Sequence, residues 1–419
     1  MDAVVVKAGG GASNGLSARR PFDRWYRYPA GFSPSSLDLA LEAVGGDHEL
    51  GVIVDPFAGA ASAGTEVIAR GGTFVGLEAH PEVAELAALK FQRRGPSAGL
   101  IEAAAAVTES SGLLPVEREP DLVRRCFDQP VLAELVGLRE TVTASQSIWA
   151  DYLKWALIGT LRDVASVKVG WPYQRPALAR SAPHRDPTKR FLQRARWMAE
   201  DLTNAPAPLD STVIAGDSRE SLPWSRGLRQ ETADGCISSP PYLNNFDYAD
   251  ATRLELYFWG AAGSWKEMCD SVRSGMLVAT TQQTRKALAH AAANQLERYP
   301  HLDHDLRPLI EQLQAERKRR ARGKEYDRVL GPYFLGLAGV LSNLFEALVP
   351  GARCGWLIGD SAPYGIYVDT PTLVAALAGD LGFDVLADLR VRTRGQRWRT
   401  NGIRHRVELT ERLIMFSRP

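Results

Sequence analysis

Apolar residues along this chain fall into two rhythms. Short unbroken apolar runs bounded by turn residues recur at GVIVDPF (51–57), GTFVGLEAH (72–80), STVIAGDS (211–218), DGCISSPPY (234–242), ARCGWLIGDS (352–361), FDVLADLRV (383–391) and RLIMFSR (412–418). Unbroken runs of this length read as strands buried on both faces, as in a parallel sheet. Between them the period becomes helical. In SPSSLDLALEAVGG, Ser33 can cap and Pro34 stands in the first turn; Leu37, Ala40, Leu41 and Val44 then share a face and Gly45 closes. In HPEVAELAALKFQRRG, Pro81 opens and Gly95 closes, and in DTPTLVAALAGDLG, Thr370 and Pro371 open a helix that buries Leu373, Leu377 and Leu381. Strands alternating with helices predict an α/β fold, a wound sheet with helices on both faces.

Two stretches leave that alternation. Residues 100–210 carry the helical patterns SIWADYLKWALIGTLRDVAS and PTKRFLQRARWMAEDL around the Pro-rich WPYQRPALARSAPHRDP, and residues 260–330 are helical and polar. Both read as helical insertions into one catalytic core formed by 21–99, 211–259 and 331–419, with 1–20 a flexible Gly/Ser/Ala-rich leader. No internal repeat is found.

Bulk composition narrows the classes. The 419 residues are 45% hydrophobic and 24% charged with a formal net charge of +1, so global charge recruits neither nucleic acid nor membrane. Basic residues cluster locally in ERKRRARGK (316–324) and RVRTRGQRWRTNGIRHR (390–406), either of which can face phosphates. For the first a solvated helix face is an equal reading. Cys126, Cys236, Cys269 and Cys354 form no CxxC pair, which argues against a zinc ribbon or a disulfide framework and fits a reducing compartment. No run approaches the roughly 18 apolar residues of a membrane helix. The expectation is a soluble, cytoplasmic protein without a metal.

The first strand runs into DPFAGAASAGTE, which places Asp55 at a strand's carboxyl end, where ligands of open α/β sheets bind. Gly59 and Gly64, with Ala58, Ala60, Ala61 and Ala63, keep bulk away from a small ligand. A P-loop would need Lys after the second Gly, and Thr65 stands there; a dinucleotide fingerprint would need Gly where Ala61 stands. S-adenosylmethionine needs space and an acid instead, and Glu78 ends the next strand, placed to accept hydrogen bonds from a ribose diol. A purely structural turn is the plain alternative.

DPFAG, a strand-ending acid, GDS and then SPPY together resemble the S-adenosylmethionine-dependent amino-methyltransferases of DNA, which modify N4 of cytosine or N6 of adenine. The matching motifs are scattered through 25–80 and 211–260, and neither insertion matches a known module. The resemblance implies a Rossmann-like class I methyltransferase sheet. It makes Ser239, Pro240, Pro241 and Tyr242 the catalytic corner and sets RYPAGFSPSSL, with Tyr28, Pro29 and Phe32, against the methionine end of the cofactor. Asp55, Pro56 and Phe57 would line its amino-acid and ribose end, Asp217 and Ser218 its adenine. Asn244, Asn245 and Asp247 would contact the flipped nucleotide or cap a turn, and Arg253 and Glu255 would pair with each other or brace the corner.

Chemistry explains why such a corner holds two prolines. An exocyclic amine is a poor nucleophile because its lone pair is delocalised into the ring. Accepting both N–H bonds turns the nitrogen toward sp³. Ser239 Oγ is one acceptor and the Pro240 carbonyl another, held rigidly by residues with no competing N–H. Tyr242 offers a face for a base, and a duplex base reaches it only when flipped out. Carbon-5 methylation needs a Pro-Cys thiolate, and no cysteine here follows a proline. Serine in the first position points to N4 of cytosine, with N6 of adenine as the alternative. RNA methylation, and a recognition subunit of a restriction or phage-defence complex with partner-dependent catalysis, are the remaining readings. KVGWPYQRP (168–176) is a candidate for groove or backbone contact.

Overall fold

The computed structural model describes residues 20–28, 32–45, 50–169, 175–179, 185–394 and 407–419. Pro29, residues 170–174 of the KVGWPYQRP segment and residues 395–406 of the second basic run lie outside them, as does the leader apart from Arg20.

All seven apolar runs become strands of one sheet. β1 (Val52–Asp55) and β2 (Thr73–Glu78) precede a small antiparallel pair inside the first insertion, β3 (Val167–Lys168) and β4 (Arg175–Ala179). β5 (Thr212–Ala215), β6 (Ala233–Ser238), β7 (Leu348–Gly359), β8 (Asp384–Arg394) and β9 (Leu409–Ser417) complete the sheet. Its order is β5-β2-β1-β6-β7-β9-β8, parallel throughout except for β9, which is antiparallel to both neighbours. Counting the sheet's own strands, this is 3-2-1-4-5-7-6. The winding reverses between β1 and β6, so a crevice opens at their carboxyl ends.

Each strand alternates between two apolar layers. Ile53, Phe74, Leu357 and Leu413 pack against α1 (Pro34–Gly45), α2 (Ser62–Ala69) and α3 (Pro81–Leu89). Ser33 caps α1, its hydroxyl accepting from Ser36 N at 3.3 Å. α3 ends at Leu89, short of Gly95, and Lys90 turns inward to donate to the Ala60 carbonyl.

The first insertion supplies α4 (Ala98–Ser110), α5 (Asp121–Arg124), α6 (Gln129–Ala144), α7 (Ala150–Val164) and α8 (Pro187–Asn204). These helices share a core of their own with the arm at Phe22–Tyr28. Buried Asp201 of α8 fastens that arm, accepting from Phe22 N at 2.8 Å and Trp25 Nε1 at 2.9 Å. The insertion thereby aims Tyr28 at the sheet.

α9 (Ser221–Gly227) follows β5; α10 (Tyr248–Ala251) and α11 (Arg253–Trp259) follow β6. The second insertion contributes α12 (Trp265–Ser271), α13 (Lys286–Gln295) and α14 (Pro300–Lys318) before α15 (Asp327–Ala347), and α16 (Thr370–Asp380) links β7 to β8. α9, α15 and α16 cover the second sheet face, against Val54, Val75, Trp356 and Ile414. By length and composition α15 would cross a membrane, which the sequence pattern did not suggest, but two thirds of its apolar window (67%) is buried in this core. Its hydrophobicity serves the sheet.

Candidate active site

A cleft of about 770 Å³, counted with its open mouth, lies at the carboxyl ends of β1, β2, β5 and β6. Its floor is the turn 55–61, which is shaped by two left-handed residues, Gly59 (φ 53°) and Ala61 (φ 56°). At Gly59 the need for glycine is also steric, since a Cβ there would stand 3.0 Å from the Tyr28 ring. Asp55, Pro56, Phe57, Gly59, Glu78, Asp217, Ser218, Tyr28 and Phe32 all line this one cleft, together with Ser239 and Pro241. Residues separated by more than two hundred positions therefore converge on one cleft.

The acids are held by backbone and hydroxyl donors. Asp55 Oδ1 accepts from Ser238 Oγ at 2.6 Å and from Phe57 N at 2.9 Å. Burial nevertheless pushes its carboxyl up to about 7, with those two bonds opposing the rise. Glu78 accepts from Gly59 N at 2.8 Å and His80 N at 2.7 Å, one on each oxygen, and burial pushes it up to about 7 as well. Each oxygen keeps a lone pair for a ligand hydroxyl. Asp217 is chelated by Arg219, with Nε 2.8 Å from Oδ1 and Nη2 2.5 Å from Oδ2. Arg219 lines the cleft too. The sequence offered no partner for Asp217.

Gly64 needs correcting. It does not line the cleft but sits inside α2, where a Cβ would stand 2.4 Å from the Phe74 ring. Its role is close helix-to-strand packing.

The Ser-Pro-Pro-Tyr corner leaves β6 beside Asp55. Ser239 Oγ donates to the Leu357 carbonyl of β7 at 3.1 Å, which commits its only proton and leaves its lone pairs as acceptors. Among the described residues no hydrogen bond ends on the Pro240 carbonyl. The Pro241 carbonyl is taken by the Tyr333 hydroxyl of α15. Tyr242 does not line the cleft; its ring packs on Gly359, where a Cβ would come within 2.8 Å of it, and under the Arg394 guanidinium, 5.0 Å from the ring centroid.

Beyond the corner, Asn244 is left-handed (φ 57°), and both atoms of its buried amide are unpartnered among the described residues. Asn245 is exposed. Asp247 is 1% exposed, caps α10 by accepting from Ala249 N at 3.1 Å, and lies 2.5 Å from Arg273 Nη2 as an ion pair off the line of a hydrogen bond. Of the two roles open to Asp247, the structure displays the cap. Arg253 and Glu255 do not pair with each other: Arg253 meets Asp250 at 3.2 Å, and Glu255 holds Arg162 of α7 at 2.5 Å. Glu255 thus ties α11 to α7, and Arg253 stays within its own turn of chain.

Sequence reasoning missed the roof. Gly275, Met276 and Leu277, delivered by the second insertion, close the cleft from above, and Tyr248 closes its side. Nothing local marks the roof residues, whereas Tyr248 stands in the same NNFDYAD run as the corner. Several described arginines of the basic runs are committed to ion pairs. Arg317 pairs with Asp327, Arg320 with Glu316, and Arg392 with Glu411. Among the described residues no cluster of His, Cys, Asp and Glu suits a metal ion.

No protein-family model matches the chain. It is similar to the Type II methyltransferase M.AvaI of Nostoc sp., 27% identical over 162 residues that cover 38% of this chain and 32% of that protein. The chain thus spans about a third of the length of that relative. It is also similar to the Type II methyltransferase M.BsoBI of Geobacillus stearothermophilus, 22% identical over 471 aligned positions, covering 94% of this chain and 85% of the relative. Among solved structures, the rRNA methyltransferase aviRa of Streptomyces viridochromogenes matches 97% of this chain and 96% of its own at 12% identity, with a TM-score of 0.31. A 3-2-1-4-5-7-6 sheet with an antiparallel seventh strand and its cleft at the β1/β6 reversal is the class I methyltransferase fold, and this chain is built on it.

Proposed function

We propose that this chain transfers a methyl group from S-adenosylmethionine to the exocyclic amine of a base flipped out of double-stranded DNA, namely N4 of cytosine. One observation carries the reading. The Ser239 hydroxyl, its proton committed to Leu357, stands with Pro241 in the lining of a cleft floored by buried acids, and the rigid Pro240 between them is the proposed source of the second acceptor. The sequence likeness to two Type II methyltransferases supports DNA as substrate and a place in restriction–modification.

The cleft suits the cofactor. Two buried carboxyls face a space walled by Ala58, Gly59, Ala60 and Ala63, which fits a cationic, hydroxyl-bearing ligand and would clash with larger side chains. Glu78 would hold the ribose hydroxyls, Asp55 and Phe57 the amino-acid end, and Asp217 and Ser218 the adenine side. When bound, the cofactor supplies an electrophilic methyl on sulfur. Ser239 and Pro240 accept the two amine N–H bonds and raise the nitrogen's nucleophilicity. Positioning of donor and acceptor supplies much of the remaining acceleration. The same acceptors would serve N6 of adenine, so labelling decides between the bases.

The test is nucleoside mass spectrometry on unmethylated genomic DNA incubated with the protein and methyl-labelled S-adenosylmethionine. Labelled N4-methylcytosine is expected. Labelled N6-methyladenine would overturn the base, and no label on DNA with cofactor bound would overturn the substrate.

A further inference from the structure

Arg394 ends β8 and reaches back across the sheet to the catalytic corner. Its guanidinium lies over the Tyr242 ring at 5.0 Å and donates to the Asp360 carbonyl just beyond β7. A Cβ on Gly359 would meet both the guanidinium carbon (2.7 Å) and the Tyr242 ring (2.8 Å), so guanidinium, ring and glycine backbone are stacked in contact. The Arg394 charge also acts on Tyr248 and Tyr333. These three tyrosines surround the corner: Tyr248 lines the cofactor cleft, and Tyr333 holds the Pro241 carbonyl.

The other charged groups of this wall are committed. Glu411 is held by Arg392, with Nη2 2.7 Å from Oε1, and Asp360 accepts from Thr410 N at 2.9 Å and from the Tyr367 hydroxyl at 3.0 Å. Arg394 is not fully satisfied. Its buried Nε has no partner among the described residues, and neither has the buried Ser361 Oγ next to Asp360. The buried Nε–H of a cation at this aromatic corner is therefore a donor open to an acceptor.

Resting on the function proposed above, we infer that Arg394 reads the target base as cytosine by donating to its N3 and O2. The edge of cytosine presents an amine, then two acceptors in a row, N3 and carbonyl O2. The corner offers the complement, with two acceptors at Ser239 and Pro240 and a planar donor group at Arg394. Adenine presents its amine, then N1, then a C–H, so it leaves half of a bidentate donor unpaired in a dry site. The Arg394 guanidinium lies on the ring of Tyr242, three residues beyond Ser239, which keeps its donors beside the corner.

The experiment compares wild type, Arg394→Met and Arg394→Lys on unmethylated genomic DNA, reading labelled N4-methylcytosine and N6-methyladenine, with cofactor affinity and melting temperature measured alongside. Wild type is expected to label cytosine. Arg394→Met should lose roughly 10- to 100-fold in kcat/KM for cytosine, the scale of one bidentate base contact, at unchanged cofactor affinity. Arg394→Lys keeps the charge without the planar fork and should recover only part of that loss, which guards against a folding defect in the methionine variant. Full cytosine activity in either variant overturns the inference. A wild-type enzyme that labels adenine overturns it while leaving DNA methylation intact; one that labels no DNA overturns the proposed function as well.

Discussion

The Tyr333 hydroxyl donates to the carbonyl oxygen of Pro241 across 3.0 Å and so ties α15 to the second proline of the corner. Burial holds the Tyr333 phenol far above its ordinary range, so it remains a donor at every working pH. Tyr333→Phe removes one hydrogen bond worth about 1 kcal/mol and leaves the ring in place. The expected result is a roughly fivefold fall in single-turnover rate with little change in cofactor affinity. An unchanged rate would show that the prolines hold the corner unaided.

Ser239→Ala deletes one of the two acceptors proposed for the amine. Loss of a preorganised polar group aimed at developing charge costs on the order of 10²-fold or more in kcat. Cofactor affinity, read by calorimetry, should stay within a few-fold, because Ser239 meets Leu357 and the corner and not the acids of the turn. Loss of cofactor binding would contradict the assignment.

Asp55 and Glu78 give the enzyme a pH signature. Burial raises their carboxyls to about 7 from 3.8 and 4.5, so each favours the unliganded fold most when protonated. That contribution is complete below about pH 4 and is lost as pH rises through about 7. Cofactor hydroxyls donating to Glu78 favour the ionised form instead. Cofactor affinity should therefore rise between about pH 6 and 8, with proton release visible as a buffer-dependent heat. A pH-independent affinity would remove Glu78 from the cofactor site.

The Asp247–Arg273 pair joins the helix after the corner to the turn that carries Met276 and Leu277 into the cleft. With the carboxylate 1% and the guanidinium 9% exposed, Arg273→Met strands a buried charge and should cost about 3–5 kcal/mol in urea unfolding. Asp247→Asn in the same chain removes the charge and should restore much of that stability. If the double variant is no more stable than Arg273→Met, the pair is not the cause.

The parts of this molecule that were legible in its sequence obey local rules. Ile53 and Val54, or Leu413 and Ile414, announce strands because both faces are buried, and SPPY announces a rigid corner because proline's constraints are intrinsic. The rest depends on distant partners. The apolar run near 383–391 stops before the strand does, and the polar residues that extend β8 to Arg394 resembled a phosphate-binding patch. What defines Arg392 and Arg394 is Glu411 and Tyr242, which no spacing rule connects to them. Gly64 resembled a ligand turn because its contact, Phe74, lies in the next strand.

The placement of β9 also sets an order of assembly. Every cleft-lining residue from Tyr28 to Leu277 leaves the ribosome well before Leu409–Ser417, yet β9 belongs between β7 and β8. Until it arrives, β7 presents a bare edge and β8 has no neighbour to carry Arg394 toward the corner. The nascent chain thus exposes its cleft-lining residues first and completes its sheet later. The wall that holds Arg394 over Tyr242 forms only once β9 has paired with both β7 and β8.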